Sequence, residues 1–317
     1  MDVVTIDTVL NADCVAWCPR PDRQNLLLCS TYQLVDQKRT GSLLLFETAP
    51  EVHLIQTVLN LSGIFDFKWS PAGQDLVMVA AVDSEGQIHL FKLDIETNLL
   101  HLVSALKISD AFALYVDWLD SKLAVSFADG TVSIFEINSD GLNCVQNYKN
   151  HSLEAWTTVF DVNEPEILYS GGDDSVMILY DTKSECVISK NRYHTAGVTH
   201  FMTCKQHPYN FISGSYDELI CLWDKRQTRR PVKELGLGGG VWRIQSEIGV
   251  PTPKLAVACM FKGFLFLELN SEGFIIDNRF RNEEGCLAYG VGLAQDNRVA
   301  MCTFYDHLLN VSRRPVF

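Results

Sequence analysis

The sequence predicts an all-β protein built from repeated four-stranded units, and two segments show the repeat most clearly. Residues 213–224 read Ser-Gly-Ser-Tyr-Asp-Glu-Leu-Ile-Cys-Leu-Trp-Asp, and residues 170–181 read Ser-Gly-Gly-Asp-Asp-Ser-Val-Met-Ile-Leu-Tyr-Asp. Each has a small-residue start, a polar turn, an alternating apolar strand and a final aromatic–Asp pair. A period of about 40–45 residues with this ending is typical of a WD-repeat propeller blade.

The same period extends along the whole chain. The residue that marks the end of the third strand recurs every 43–45 positions, at Phe46, Phe91, Phe135, Tyr180, Trp223, Leu267 and Val311. A length of 317 residues would suggest two domains, but closed all-β folds often exceed that expectation. Seven units at constant spacing therefore predict one seven-bladed β-propeller over residues 1–317, with no second domain.

Each unit is expected to open with an inner strand and to turn at polar or glycine-containing sites. Segments 15–19, 67–71 and 116–118 show apolar alternation that is ended by a turn. Asp-Gly at 129–130 lies between two apolar runs, which favours a hairpin because glycine accepts positive φ. The polar segment 33–41 interrupts the first unit and is expected to be a solvated loop.

The chain ends are expected to meet in the last blade. Only six residues follow Val311, too few for a fourth strand, whereas residues 3–10 alternate like a strand and have no partner of their own. We predict that this N-terminal segment supplies the outer strand of the seventh blade. Such closure removes an exposed sheet edge.

Composition favours a packed, acidic protein. Apolar residues make up 47% of the chain and aromatic residues 10%, which excludes a disordered polypeptide. The 39 acidic residues outnumber the 26 basic ones, for a net charge of −13. This balance argues against nucleic acid as a partner, because a phosphate backbone is bound mainly by positive charge.

Cysteine usage and the N-terminus indicate the compartment. The closest of the ten cysteines, Cys14 and Cys18, have no nearby histidine to complete a zinc site. Most lie in apolar runs, as reduced thiols do in a reducing compartment. The start of the chain lacks a signal peptide, and no apolar stretch reaches the roughly 18–20 residues of a membrane span. We expect a cytoplasmic monomer that uses no membrane, metal or cofactor.

Two histidines recur with the repeat. His151 and His194 each precede a turn aspartate, Asp174 or Asp217, by 23 positions. One interpretation is a repeated hydrogen-bond network inside the blades; the other is that one histidine also faces the central opening and transfers protons. A Ser-His-Asp hydrolase triad is disfavoured, because the set occurs twice and no Gly-x-Ser-x-Gly elbow is present.

Other residues stand where the repeat does not require them. Glu154, Trp156, Trp242, Arg243 and Tyr289 fall at the start of inner strands, which border the central opening. Aromatic rings there would stack on a cationic group. The arginine would hold a carboxylate or a developing oxyanion, and the glutamate would polarise a water molecule. The alternative is that the tryptophans only pack between blades.

The last unit departs from the repeat. Asp306 takes the turn position, but the residue 23 positions earlier is Glu283 instead of a histidine. The Asp306 carboxylate is then either free beside Tyr305 and His307 or part of an ordinary solvated turn.

Five short motifs at this end of the blades form a distinctive set. They are His-x-x-Glu-Ala-Trp (151–156), Gly-Ser-Tyr-Asp-Glu (214–218), Gly-Gly-Val-Trp-Arg (239–243), Tyr-Gly (289–290) and Phe-Tyr-Asp-His (304–307). Together these motifs resemble the diphthine methyl ester hydrolase family, also called diphthine methyltransferase. The resemblance spans the chain and is weakest over residues 50–145. The long insertion that some relatives carry before the last motif is missing, as is the usual terminal Trp pair.

The resemblance implies a step of diphthamide biosynthesis on elongation factor 2. The family removes the methyl ester from a modified histidine that also carries a trimethylammonium group, giving diphthine, which an ATP-dependent ligase then amidates. The residue roles are our own hypothesis and not part of the resemblance. The candidate catalytic residues are Glu154, His151, His194 and Arg243, and the candidate substrate-binding residues are Trp156, Trp242, Tyr289 and Tyr305. The alternative is a non-enzymatic WD-repeat scaffold, since fold alone does not define function.

Overall fold

The computed structural model describes residues 3–138, 141–246, 254–280 and 285–313. This described part contains 28 β-strands and one short 3-10 turn, Pro21–Arg23. The strands form seven four-stranded antiparallel sheets. The predicted seven-bladed β-propeller is therefore confirmed. None of the helical structure in the described residues is long and apolar enough to cross a membrane.

The chain begins with β1 (Val4–Asp7), and the blades then follow in order, each from its inner to its outer strand. Blade 1 comprises β2 (Ala12–Trp17), β3 (Leu26–Val35), β4 (Lys38–Glu47) and β5 (His53–Ser62). Blade 2 comprises β6 (Ile64–Trp69), β7 (Met78–Asp83), β8 (Gln87–Asp94) and β9 (Leu99–Lys107). Blade 3 comprises β10 (Ala113–Leu119), β11 (Lys122–Phe127), β12 (Thr131–Asn138) and β13 (Gly141–Lys149).

The second half repeats this order. Blade 4 comprises β14 (Ala155–Phe160), β15 (Ile167–Gly172), β16 (Met177–Asp181) and β17 (Cys186–Asn191). Blade 5 comprises β18 (Val198–Thr203), β19 (Asn210–Ser215), β20 (Leu219–Asp224) and β21 (Lys233–Gly236). Blade 6 comprises β22 (Arg243–Ser246), β23 (Lys254–Ala258), β24 (Phe264–Asn270) and β25 (Gly273–Phe280). Blade 7 comprises β26 (Ala288–Leu293), β27 (Arg298–Thr303), β28 (Leu308–Arg313) and, as its outer strand, β1.

The N-terminal strand closes the ring, as predicted. Strand β1 pairs antiparallel with β28, with Val4 opposite Val311 and Thr5 opposite Asn310. The Thr5 hydroxyl also donates a hydrogen bond of 2.7 Å to Oδ1 of Asn310. The inner strands of consecutive blades contact one another, and those of blades 7 and 1 do so as well. The first and last segments of the chain thus complete one blade together.

Aromatic and aliphatic side chains fill the interfaces between consecutive blades. Between blades 4 and 5, Phe211 stacks on Trp223 with ring centroids 5.9 Å apart and planes 8° apart. Tyr169 meets Phe211 at 4.6 Å, and all three side chains are fully buried. Truncating such a ring to alanine typically costs about 3–5 kcal/mol. The blades therefore hold each other rigidly and fix the ends of the inner strands.

The prediction of a solvated loop over residues 33–41 is wrong, because these residues extend a β-hairpin. Strands β3 and β4 stay paired to their tips, with Gln33 opposite Thr40 and Val35 opposite Lys38. The chain reverses at Asp36 and Gln37, whose φ angles of 48° and 65° are those of a tight two-residue hairpin turn. The segment keeps its strand pairing although Leu34 and Val35 are 57% and 47% exposed.

Candidate functional site

One end of the ring carries a series of aromatic side chains around the axial opening. Inner strands begin at this end, and the second and third strands turn there, because neighbouring strands are antiparallel. Successive ring centroids lie between 4.7 and 6.3 Å apart. We call this series the aromatic belt; it consists of Trp156, Tyr216, Trp242, Tyr289, Phe304, Tyr32, Phe65 and Phe112.

The belt brings together three of the four aromatic residues that the sequence singled out. Trp156 meets Trp242 edge-on at 5.8 Å, and Trp242 lies 4.7 Å from Tyr289. All three are half-buried, so part of each ring remains available to a ligand. Tyr305 lies at the outer side of the belt, where it packs edge-on against Phe304 at 5.2 Å and is 63% exposed.

Two belt-side residues were missed by the sequence argument, Tyr216 and Asp173. Tyr216 stacks on Trp242 with centroids 5.8 Å apart and planes at 26°. Oδ1 of Asp173 accepts a hydrogen bond of 3.0 Å from Nε1 of Trp156. A Cβ at Gly197 would come within 2.8 Å of Asp173 Oδ1 and 2.9 Å of the Tyr216 ring, so glycine is required there. The available signal was that both residues precede the turn aspartate of their repeat.

Glu154 lies on the same side of the belt as Asp173. Its backbone carbonyl accepts a hydrogen bond of 2.8 Å from the Asp173 amide. Its half-buried carboxylate has no hydrogen-bond partner in the part of the chain that the structure describes. Burial raises the pKa of the Tyr216 phenol, and the charges of Asp173, Asp13 and Glu154 raise it further. The phenol therefore remains protonated, and acidic groups surround this part of the belt.

Arg243 lies in the axial opening and is already paired. Its Nη1 donates a 2.7 Å hydrogen bond to Oδ1 of Asp66, and Nη2 lies 3.8 Å from Oδ1 of Asp13. Nη2 also donates to the Phe65 carbonyl, at 3.3 Å. The residue is only 7% exposed, and its guanidinium lies 5.3 Å from the Tyr115 ring centroid. This geometry corrects the expected oxyanion role: the guanidinium is engaged by two carboxylates.

The two recurring histidines are hydrogen-bonded inside their blades. Nδ1 of His151 lies 3.0 Å from Oδ1 of Asp174, and its Nε2 lies 2.7 Å from Oγ of Ser170. His194 repeats the arrangement, with distances of 2.8 Å to both of its partners. Both imidazoles are fully buried and use both ring nitrogens. The geometry thus favours the structural interpretation and argues against the expected proton-transfer role.

We call each of these His–Asp hydrogen bonds a histidine tie, and the aspartates of both ties are held in the ionised form. Burial alone would raise the pKa of Asp174, but hydrogen bonds from His151 and the Ser152 amide outweigh it and lower the pKa to about 2. The pKa of Asp217 is lowered in the same way, by His194 and against the effect of burial. Each tie therefore links the start of an inner strand to a turn.

Asp13 is a further buried acid near the belt that the sequence did not reveal. It is 2% exposed, and its Oδ1 has no hydrogen-bond partner among the described residues. Burial raises the pKa of its carboxyl group, against the effect of Arg243. Its charge helps to raise the pKa of the phenols of Tyr32, Tyr216 and Tyr289, so Asp13 lies close to three belt residues.

In the last blade, Asp306 is half-buried, and its Oδ1 has no hydrogen-bond partner within the described residues. Glu283 lies outside the described residues.

Over the described part of the chain, no group of three or more His, Cys, Asp or Glu side chains is placed to hold a metal ion.

The fold and the belt define a WD-type β-propeller with an aromatic and acidic candidate binding site. No family model matches the chain. The chain is 32% identical over 306 residues to diphthine methyltransferase of Homo sapiens, covering 83% of this chain and 67% of that one. It is 29% identical over 295 residues to diphthine methyltransferase of Schizosaccharomyces pombe, covering 89% of each. The chain belongs to the diphthine methyltransferase family.

Solved structures agree on the fold. The WD40 β-propeller domain of Doa1 superimposes with a TM-score of 0.76 at 14% sequence identity, covering 97% of this chain and 94% of that domain. At this identity the likeness describes the architecture alone.

Proposed function

We propose that this protein hydrolyses the methyl ester of methylated diphthine on elongation factor 2, giving diphthine. The curated relatives are named for diphthine chemistry, and the resemblance of the sequence motifs implies the ester as the reacting group. No cofactor is needed, because water is the second substrate. The partner is a protein, and neither nucleic acid nor a membrane takes part.

The observation that carries the proposal is the contact between Trp156, Tyr216 and Trp242 beside Asp173 and Glu154. A trimethylammonium group binds to the faces of electron-rich rings, and nearby carboxylates strengthen the attraction. The substrate carries such a group close to its ester. The belt therefore supports a site that holds the cation and leaves the ester near the acidic residues.

The chemistry requires a base for water. Glu154 is our candidate, because its carboxylate has no hydrogen-bond partner among the described residues and its charge helps to raise the pKa of the Tyr216 phenol in the proposed cation site. The base removes a proton from a water molecule while the oxygen of that water attacks the ester carbonyl carbon. The tetrahedral intermediate then expels the methoxy group, which takes up a proton and leaves as methanol. The product is the carboxylate, and one proton is released.

A hydrogen-bond donor for the ester oxygen is also at hand. Nε1 of Trp242 is buried and has no partner within the described residues. An unsatisfied buried donor is costly, so a carbonyl oxygen or a water molecule that reached it would be bound favourably. We assign this indole, in place of Arg243, to the ester carbonyl as it gains negative charge.

The test is turnover of elongation factor 2 that carries the methyl ester. Purified protein is incubated with it, and methanol release and the loss of one CH₂ unit in mass are followed. Glu154→Gln is expected to lower kcat about 100-fold, and Trp156→Ala to raise KM about tenfold. Tyr209→Ala is the control, because this 53% exposed aromatic residue precedes β19 at the other end of the ring. Binding without turnover by the wild type would favour the scaffold alternative.

A further inference from the structure

The acidic groups at the belt have a consequence for the product of the reaction. Asp173 is bonded to Trp156, and Glu154 lies next to Asp173 and acts on Tyr216. Asp13 is buried near the same rings, and its Oδ1 lies 3.8 Å from Nη2 of Arg243. Three carboxyl groups thus surround one part of the belt.

The cationic side chains near this part of the belt do not lie over its rings. Arg243 is buried against Asp66. Arg192 contacts the backbone carbonyl of Asp174, and the exposed Lys262 lies beside Gly238. Arg39 lies over the ring of Phe112, at 4.7 Å, and in the described part of the chain no arginine or lysine lies over Trp156, Tyr216 or Trp242. A ligand on Trp156 and its neighbours therefore meets a negative field.

Hydrolysis changes the charge of the ligand by one unit. The ester form carries the trimethylammonium charge and an uncharged carboxyl ester. The product carries the same cation and a carboxylate a few atoms away. Like charges a few ångströms apart repel strongly where water is partly excluded, so the carboxylates of the site repel the product carboxylate. The ester form carries only the cation, which these carboxylates attract.

We infer that Trp156, Tyr216 and Trp242, together with the carboxylates of Asp173 and Glu154, form a quaternary-ammonium site that rejects an adjacent carboxylate. The inference rests on the proposed function, in which the ester is the substrate and the carboxylate is the product. The site then binds the ester form selectively and releases the product once the ester bond has been cleaved. No conformational change is required for this selectivity.

Small probes separate the two features of the site. Acetylcholine carries the cation and a neutral ester, betaine carries the cation and a carboxylate, and 3,3-dimethylbutyl acetate is the uncharged isostere of acetylcholine. Binding is followed at constant ionic strength by the indole N–H signals of ¹⁵N-labelled protein. We expect acetylcholine to shift the signals of Trp156 and Trp242, and both other probes to bind at least tenfold more weakly.

Charge-removing variants then locate the source of the selectivity. Asp173→Asn keeps an oxygen that accepts the Trp156 N–H, and Glu154→Gln keeps the shape of its side chain. The double variant is expected to reduce the preference for acetylcholine over betaine to less than threefold. Asp110→Asn is the control and should leave the preference unchanged, since the Asp110 side chain is fully exposed.

The outcomes distinguish this inference from the proposed function. Equal binding of betaine and acetylcholine by the wild type, or an unchanged preference in the double variant, would overturn the inference even if the protein hydrolyses the ester. Selective binding of acetylcholine without hydrolysis of methyl-esterified elongation factor 2 would support the site and refute the proposed reaction.

Discussion

Arg243 and Asp66, which are 177 positions apart in the sequence, form a buried ion pair of 2.7 Å across the axial opening. The pair joins the inner strand of blade 6 to that of blade 2. Trp242 and Phe65, the residues just before the two partners, both belong to the aromatic belt. The ion pair therefore fixes two parts of the belt relative to each other.

The first prediction concerns the stability of this pair. Arg243→Met leaves Asp66 uncompensated in a buried place, and losing one partner of such a pair typically costs about 3–5 kcal/mol. The free energy of unfolding should fall accordingly in urea denaturation. Adding Asp66→Asn should recover part of the loss, because the uncompensated charge is then removed.

The control for this prediction is an exposed ion pair. Arg226 binds Asp224 at 2.6 Å, but its side chain is 65% exposed. Arg226→Met should change the free energy of unfolding far less than Arg243→Met, because water screens exposed charges. Similar losses in both variants would contradict the assignment of Arg243 as a buried tie.

The fold could be predicted because its signal is local and repeated. Residues such as Phe46, Tyr180 and Trp223 lie within the third strands β4, β16 and β20, as their spacing indicates. The hairpin at 33–41 could not, because its polar composition matches that of a solvated loop, and only the pairing of both strands reveals the difference.

The candidate site was predictable only in part. Trp156, Trp242 and Tyr289 were recognisable because the repeat does not require aromatic residues at their positions. Tyr216 lies inside the repeat motif itself, so its only signal was its position directly before the turn aspartate Asp217. The partners of Arg243 were hidden for another reason: they come from blades far away in sequence, and closure of the ring alone brings them together.

The second prediction concerns acid stability of the histidine ties. The pKa of Asp174 is about 2 in the folded protein, below its value of about 3.9 in an unfolded chain. The corresponding stabilisation is complete above about pH 4 and is lost as the pH falls through about 2. We expect it to amount to roughly 1 kcal/mol after solvent screening at the turn.

The measurement is urea denaturation between pH 5 and pH 2, about the range over which the carboxyl titrates. Asp174→Asn should be less stable than the wild type at pH 5, and the difference should shrink towards pH 2. Asp110→Asn, at a fully exposed position, should follow the wild-type curve. A difference that stays constant with pH would show that the Asp174 charge does not supply the stabilisation.

The third prediction concerns Tyr216, which stacks on Trp242 and lies close to Gly197 and Gly240. Tyr216→Ala removes one ring of the proposed cation site and should raise KM for the methyl ester about 3- to 30-fold. The effect on kcat should be less than about threefold, because the ring binds the cation and not the reacting carbonyl.

The matched variant is Tyr216→Phe, which keeps the ring and removes only the hydroxyl. Its KM should remain within about twofold of the wild-type value, because the ring face and not the hydroxyl attracts the cation. Steady-state kinetics with methyl-esterified elongation factor 2 measures both variants. If Tyr216→Phe and Tyr216→Ala raise KM equally, the aromatic face of Tyr216 does not bind the cation.

The fourth prediction concerns closure of the ring by β1. Ile6 packs against the core between blades 7 and 1, whereas Val4, two residues away on the same strand, is 39% exposed. Ile6→Asp places a charge in this core and should lower the free energy of unfolding by several kcal/mol, about 3 or more. Val4→Asp should change it by less than about 1 kcal/mol, since exposed positions tolerate charge.

Deleting residues 1–7 extends this prediction from one side chain to the whole strand. The deletion leaves the backbone of β28 unpaired along one side, and an unpaired edge promotes association with other chains. We expect a lower melting temperature and the appearance of dimers or larger species in size-exclusion chromatography. The hydroxyl bond from Thr5 to Asn310 is lost as well, so the deletion should destabilise the protein more than Thr5→Val. A truncated protein that stays monomeric and melts like the wild type would mean that the pairing of β1 with β28 contributes little to closing the ring.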